Sequence, residues 1–230
     1  GPPDHRSHRK CFLLDKSHMG YAPRRARGRY HSGVCIDDPN NSQGFGFSLG
    51  DGGTGRVRFF SRSTMPIILD TPNVVDNDTW YFVAAVADID SKTKRIYVFD
   101  QSGNKVADVS GSYTGNWGFD TGEASMGGEN EASGESSRRF HFEGNLDEIR
   151  VHEGALSEAA ILGYQNRSRF CFSQAAEYRF DLCSETQTVI DDSGNGFNGT
   201  VLNGPLDIQA GKVCNAGYFD GVDDYVVIDD

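Results

Sequence analysis

Phe140-His-Phe-Glu-Gly-Asn-Leu146-Asp-Glu-Ile149-Arg-Val-His152-Glu-Gly154-Ala-Leu156-Ser-Glu-Ala-Ala160-Ile-Leu-Gly-Tyr164 is the stretch that decides how this chain folds. From Leu146 it alternates. Leu146, Glu148, Arg150 and His152 fall on one side, and Asp147, Ile149 and Val151 on the other. A period of two predicts a strand in a sheet. Gly154 interrupts the pattern, and Leu156, Ala159, Ala160 and Tyr164 then recur at helical spacing, which predicts one short helix near 156–165.

Upstream of this segment the texture is that of short strands and turns. Gly44–Leu49, Arg56–Ser61, Pro66–Asp70, Trp80–Asp88, Lys94–Asp100 and Lys105–Val109 each read as strands, separated by Gly, Asn and Asp turns. The run Trp80–Asp88 is continuously apolar and predicts a central strand covered on both faces, with Trp80 in the core. Residues 1–43 lack clear periodicity and read as a basic, loosely packed arm in which Cys11-Phe-Leu-Leu is the one candidate for a strand. Strands at about ten-residue spacing predict an all-β antiparallel sandwich.

The composition excludes several classes. The 230 residues carry a net charge of −11. Residues 1–34 hold eight Lys/Arg against two Asp, and the remainder fourteen Lys/Arg against thirty-one Asp/Glu. An acidic body repels nucleic acid phosphates. The run Arg24-Arg25-Ala26-Arg27-Gly28-Arg29 is able to touch a polyanion, but reads first as a solvated terminus. No apolar run reaches the roughly 20 residues of a membrane-spanning helix, and residues 1–30 are polar and basic where a signal peptide carries an apolar segment.

Five cysteines, Cys11, Cys35, Cys171, Cys183 and Cys214, form no CxxC pair, which argues against a zinc ribbon. Either two pairs leave one thiol over or all five are reduced. The preferred pair is Cys183 with Cys214; its loop of about thirty residues would contribute roughly 3–4 kcal/mol.

The phrases Asp78-Thr-Trp80-Tyr-Phe-Val-Ala-Ala-Val86, Arg95-Ile-Tyr-Val-Phe-Asp100 and Gly144-Asn-Leu-Asp-Glu-Ile-Arg-Val151 with Ala155-Leu-Ser157 resemble the closing half of the laminin G-like (concanavalin A-like) jelly-roll family. Further on, Tyr178-Arg-Phe-Asp181, Asp191-Asp-Ser-Gly-Asn-Gly-Phe-Asn-Gly199, Gly211-Lys212 and Phe219-Asp-Gly-Val-Asp-Asp-Tyr-Val226 resemble the opening of the same fold. Cys171, Cys183 and Cys214 are spaced much as in the repeats of pilus-associated members. The resemblance implies an antiparallel jelly-roll sandwich assembled from 44–166 and 171–230.

The order is reversed, an end before a beginning. Half a sandwich exposes strand edges and an apolar face. The expectation is therefore that 171–230 folds back to complete the sandwich that 44–166 leaves open, as in a circularly permuted domain, with Tyr178–Asp181 beside Leu146–His152. The rival is exchange of the segment with a neighbouring repeat or a dimer partner.

Candidate chemistry is sparse. Glu129-Asn-Glu131 is the nearest approach to a glycosidase carboxylate pair, but its Gly, Ser and Asn neighbours make it a solvated loop. No HExxH or P-loop occurs. The chain is expected not to be an enzyme, with a jelly-roll glycoside hydrolase as the alternative. Calcium is the candidate cofactor. Asp191, Asn195 and Asn198 lie in a tight turn of the kind hard cations use, and the resemblance together with the fold-back brings Asp147 towards it; Gly221–Asp224 is a second acidic turn. Opposed to this, Asp191 and Asn195 serve only an Asx turn. Sugar binding calls for exposed aromatics on a loop rim, for which Tyr113, Trp117, Phe119 and Phe197 are the candidates. The functional expectation is a non-catalytic recognition or adhesion module at a bacterial surface or pilus, extracellular, binding glycan or a surface protein through loops. A structural spacer without ligand is the alternative.

Overall fold

The computed structural model describes residues 10–18, 31–38, 43–49, 55–117, 124–128, 141–165, 174–182, 184–211 and 214–228. In chain order the strands are β1 (Lys10–His18), β2 (His31–Asp38), β3 (Gln43–Leu49), β4 (Val57–Ser61), β5 (Thr64–Met65), β6 (Ile68–Asp70), β7 (Trp80–Asp88), β8 (Thr93–Phe99), β9 (Lys105–Ser112), β10 (Thr114–Gly115), β11 (Ala124–Met126), β12 (Glu143–Leu146) and β13 (Ile149–Glu153). The helix α1 (Glu158–Gln165) follows. The chain continues with β14 (Gln174–Tyr178), β15 (Thr188–Val189), β16 (Gly199–Leu202), β17 (Asp207–Ala210), β18 (Asn215–Asp220) and β19 (Tyr225–Ile228).

Two antiparallel sheets carry the fold. One runs β17-β18-β12-β1-β7-β8-β9, with β13 pairing β1 and β14; the other runs β15-β16-β19-β11-β2-β3-β4-β6. The expected all-β antiparallel sandwich is the observed architecture. Alternation builds its core. Phe45, Phe47 and Leu49 of β3 meet Tyr81, Val83, Ala85 and Ala87 of β7, Ile96 and Val98 of β8, and Phe142, Ile149, Tyr178, Phe219 and Val226. The other face of β7 and β8, namely Phe82, Ala84, Val86, Tyr97 and Phe99, is covered by Ile161 and Tyr164 of α1. The apolar run of β7 is thus buried on both faces, and Trp80 is buried with it. The Ser157 hydroxyl caps α1 by accepting the Ala160 amide (3.3 Å), and Glu158 sits in the first turn, where a negative charge suits the helix dipole.

The opening segment departs from simple alternation at one point. β12 and β13 both pair with β1, His18 opposite Asn145 and Leu14 opposite Ile149. Between them Asp147 and Glu148 form a kink in which Glu148 has φ of 54°. This shifts the side-chain phase by one residue, so Leu146 and Ile149 both enter the core instead of facing opposite sides.

Two further departures concern the N-terminal region. Residues 10–18 and 31–38 are strands inside the two sheets, not a loose arm. The backbone of β1 bonds to β7 on one side and to β12 and β13 on the other, and that of β2 to β3 and β11. Paired on both edges, these segments have the backbone partners that a solvated arm lacks.

The C-terminal segment enters both sheets. β14 lies beside β13 with Tyr178 opposite Ile149, β18 lies beside β12 with Gly217 opposite Leu146, and β19 lies between β11 and β16.

Candidate functional site

The loop 190–198 joins β15 to β16, where the hairpin closes with Val189 opposite Gly199. β15 is the outermost strand of its sheet and β14 flanks the other, so the loop 190–198 spans the edge of the sandwich. Its organiser is Asp191, 6% exposed. Asp191 Oδ1 accepts the Glu177 amide (2.9 Å) and the Ser193 amide (2.9 Å). Oδ2 accepts the Ser193 hydroxyl (2.9 Å) and the Phe197 amide (3.1 Å). Burial pushes this carboxyl up, but the three amides and the hydroxyl together hold it below the ordinary carboxylate range.

The rest of the loop is tied down in the same way. The Asp192 amide donates to Glu177 O (2.7 Å), and the Asp191 amide to Asn198 Oδ1 (3.0 Å). Asn195 Nδ2 donates to Ala175 O (3.0 Å), and the buried Tyr178 hydroxyl to Phe197 O (2.6 Å). Gly194 and Gly196 have φ of 85° and 87°, a region that side-chain-bearing residues rarely adopt. The outcome is that Phe197 stands 38% exposed at the head of the loop, with Ile190 exposed beside its base.

A ladder of charges adjoins the loop. Glu177, 5% exposed, takes Arg150 Nε (3.0 Å) and, bidentately, Arg179 Nε and Nη2 (both 3.2 Å). Arg150 also pairs with Glu148, and Arg179 Nε lies 3.9 Å from Asp192. Burial alone raises the Glu177 carboxyl, yet Arg179 and Arg150 outweigh it and the net displacement is downward.

The other sequence candidates are placed differently. Tyr113 is buried, 4% exposed, and Trp117 packs on Phe45, Phe59 and Tyr113 with ring centroids 5.4, 6.0 and 6.4 Å away. Neither ring forms an exposed rim: Tyr113 is buried beside Trp117, and the large indole area of Trp117 is better removed from water over Phe45 and Phe59. Phe119 lies outside the described residues, as do Glu129, Glu131 and Cys183. Cys214 is exposed. Asp147 is buried in the kink between β12 and β13.

Asp191 has its four acceptor sites filled by protein donors, and Asn198 Oδ1 accepts the Asp191 amide. A calcium ion needs 6–8 oxygens, so these residues do not fit one without losing the bonds that shape the loop. Among the described residues, the group of three acids with ligand atoms within 4.8 Å of one another is Asp220, Asp223 and Asp224 on the β18–β19 turn, without Asp147 or Asp191.

Two features escaped the sequence reading. Met65, Pro66, Ile67 and Ile68 are four consecutive exposed apolar residues leading into β6, at the opposite end of the sheet from β15. Beneath them Lys94, 1% exposed, places Nζ 2.7 Å from Pro66 O, 2.8 Å from Ile67 O, 3.2 Å from Ser61 Oγ and 3.3 Å from Thr64 Oγ1. Desolvation lowers the Lys94 ammonium to about 8. The signal was present: Lys94 shares the inward face of β8 with Ile96 and Val98.

An antiparallel two-sheet sandwich with a braced loop at its edge defines a lectin-like class of fold. The family model for the concanavalin A-like lectin/glucanases superfamily matches residues 24–162, and the chain belongs to that family. No curated protein matches the chain. Among solved structures, the carbohydrate-binding module CBM40 of a Ruminococcus gnavus IT-sialidase is similar at 16% identity and a TM-score of 0.52, over 70% of this chain and 84% of that one. The same module bound to α2,3-sialyllactose gives 16% and 0.52, over 69% and 82%. A protein from Bacteroides ovatus assigned as carbohydrate binding gives 15% and 0.56, over 100% of this chain and 56% of that one. These likenesses establish the fold. The loop 190–198 lies beyond the family match.

Proposed function

We propose that this protein is a non-catalytic recognition module that binds glycan through the 190–198 rim. The observation that carries this reading is the exposure of Phe197 on a loop already ordered by Asp191. A ring held in place before the ligand arrives loses little entropy on binding, and a sugar face stacks on it with the Ser193, Asn195 and Asn198 polar groups alongside. That similar folds belong to carbohydrate-binding modules supports the same reading. An extracellular setting on a bacterial surface or pilus is part of the proposal. Among the described residues no helix is long and apolar enough to cross a membrane. Calcium takes no part in this reading, because Asp191 has no acceptor site left for it.

The test is a glycan array probed with the wild type and with Phe197→Ala, each with and without chelator. Binding by the wild type in both conditions and its loss in the variant support the proposal. An array without any signal leaves the spacer alternative.

A second reading is favoured by the Met65–Ile68 tip. Runs of exposed apolar residues are rare unless they bind something, and this one is clamped from below by Lys94. It suits a protein contact at the end of the sheet remote from Phe197. Ile67→Asp tests it: binding to a surface protein falls while glycan binding is retained.

A further inference from the structure

We propose that the Phe197 rim selects uncharged glycans and rejects acidic ones, with Asp192 as the specificity-determining residue. The inference rests on the glycan reading above and adds the chemical class of the ligand.

Charge around the ring sets the preference. Asp191 lies directly beneath Phe197 and stays ionised, its carboxylate bonded to the Phe197 amide at 3.1 Å. Asp192 is exposed on the same loop, and Glu177 and Glu148 follow along the ladder. Against these four carboxylates the described residues of the ladder set two guanidiniums, and both are engaged. Arg179 gives Nε and Nη2 to Glu177 and faces Asp192, and Arg150 bridges Glu177 and Glu148. A sugar carboxylate or sulfate placed at the rim therefore meets net negative charge, within a chain whose overall charge is −11.

An uncharged sugar meets what it needs. Its hydroxyls are donors, and a carboxylate is acceptor only. With Arg179 drawn towards Glu177, the Asp192 carboxylate is exposed to accept them, while Phe197 and Ile190 offer the apolar surface. The same arrangement that orders the loop thus sets its charge preference.

The experiment is an array that carries neutral glycans beside their matched sialylated, sulfated and uronate-bearing forms, probed with the wild type and with Asp192→Lys. The expected result is that wild-type signals come from neutral glycans, with the acidic match bound roughly tenfold or more weaker. That gap narrows as salt is raised from 50 to 500 mM, since exposed charges are screened over about 10 Å or less. Asp192→Lys shifts the ratio towards the acidic forms. Wild-type preference for acidic glycans, or a ratio that Asp192→Lys leaves unchanged, overturns the proposal. Absence of binding to either class overturns the glycan reading beneath it, a different result from binding with the opposite preference.

Discussion

The Asp191 carboxylate accepts the backbone amide of Phe197, six residues further along the chain, at 3.1 Å. One buried side chain therefore fixes both ends of a surface loop and the ring at its head. The proposed glycan contact and the stability of the loop both depend on it.

Asp191→Ala removes the acceptor of four hydrogen bonds and leaves the Glu177, Ser193 and Phe197 amides without it. The expected loss is about 2–4 kcal/mol, since each unsatisfied buried donor costs on the order of 1 kcal/mol or more. A urea titration reads this as a lower midpoint at unchanged slope. Asp191→Asn keeps the shape and two of the four acceptor sites, and should fall between.

Acid should act on the same place. The Asp191 and Glu177 carboxyls are both held below their ordinary values in the folded state. A depressed carboxyl contributes stability that is fully present above its unfolded value, about 3.9 for Asp and 4.3 for Glu, and is lost as pH falls through the folded value. The urea midpoint of the wild type should drop between about pH 5 and pH 3 more steeply than that of Asp191→Asn.

Lys94 acts in the same direction at higher pH. Its folded value of about 8 lies below the unfolded 10.5, so between those values the unfolded chain binds more protons and stability rises with pH. Lys94→Met removes this dependence. The difference in urea midpoint between wild type and Lys94→Met should move in favour of the wild type from pH 7.5 to pH 9.5. A difference that is flat across that window would mean that the four oxygens around Nζ balance its desolvation.

Gly196→Ala forces a side chain into φ of 87°. Open space surrounds the position, so the cost is conformational and not steric. About 1 kcal/mol of stability should be lost, with a larger relative loss of glycan affinity because Phe197 is the next residue. Calorimetric melting and binding titrations on the same preparation separate the two.

The sandwich was legible because alternation is a local property. Phe45 and Phe47, set between Gly44, Gly46 and Ser48, declare their inward face without reference to the rest of the chain, and the unbroken apolar run of β7 declares burial on both faces. Some contacts between distant segments left less trace in the sequence. The kink at Asp147–Glu148 turns Leu146 inward against the alternation, and nothing before Ile149 announces it. Residues 10–18 look like an arm because their polar neighbours hide Cys11-Phe-Leu-Leu, whose backbone partners in β7 and β13 are more than sixty residues away. Tyr113 and Trp117 read as rim aromatics because a glycine-rich loop surrounds them, while Phe45 and Phe59, on which Trp117 packs, lie about sixty to seventy residues upstream. The turn that exposes Phe197 was legible because Asp191-Asp-Ser-Gly-Asn-Gly is written within a few residues.

The most direct test of the central claim is isothermal titration of an array-identified glycan into wild type and Phe197→Ala, with thermal melting of both. Phe197 is exposed and lies in no core cluster, so the account predicts melting temperatures that agree within about 2 °C and affinity lowered by roughly tenfold or more, in line with a stacking contact worth on the order of 1–2 kcal/mol. Equal affinity of the two proteins for that glycan would contradict it.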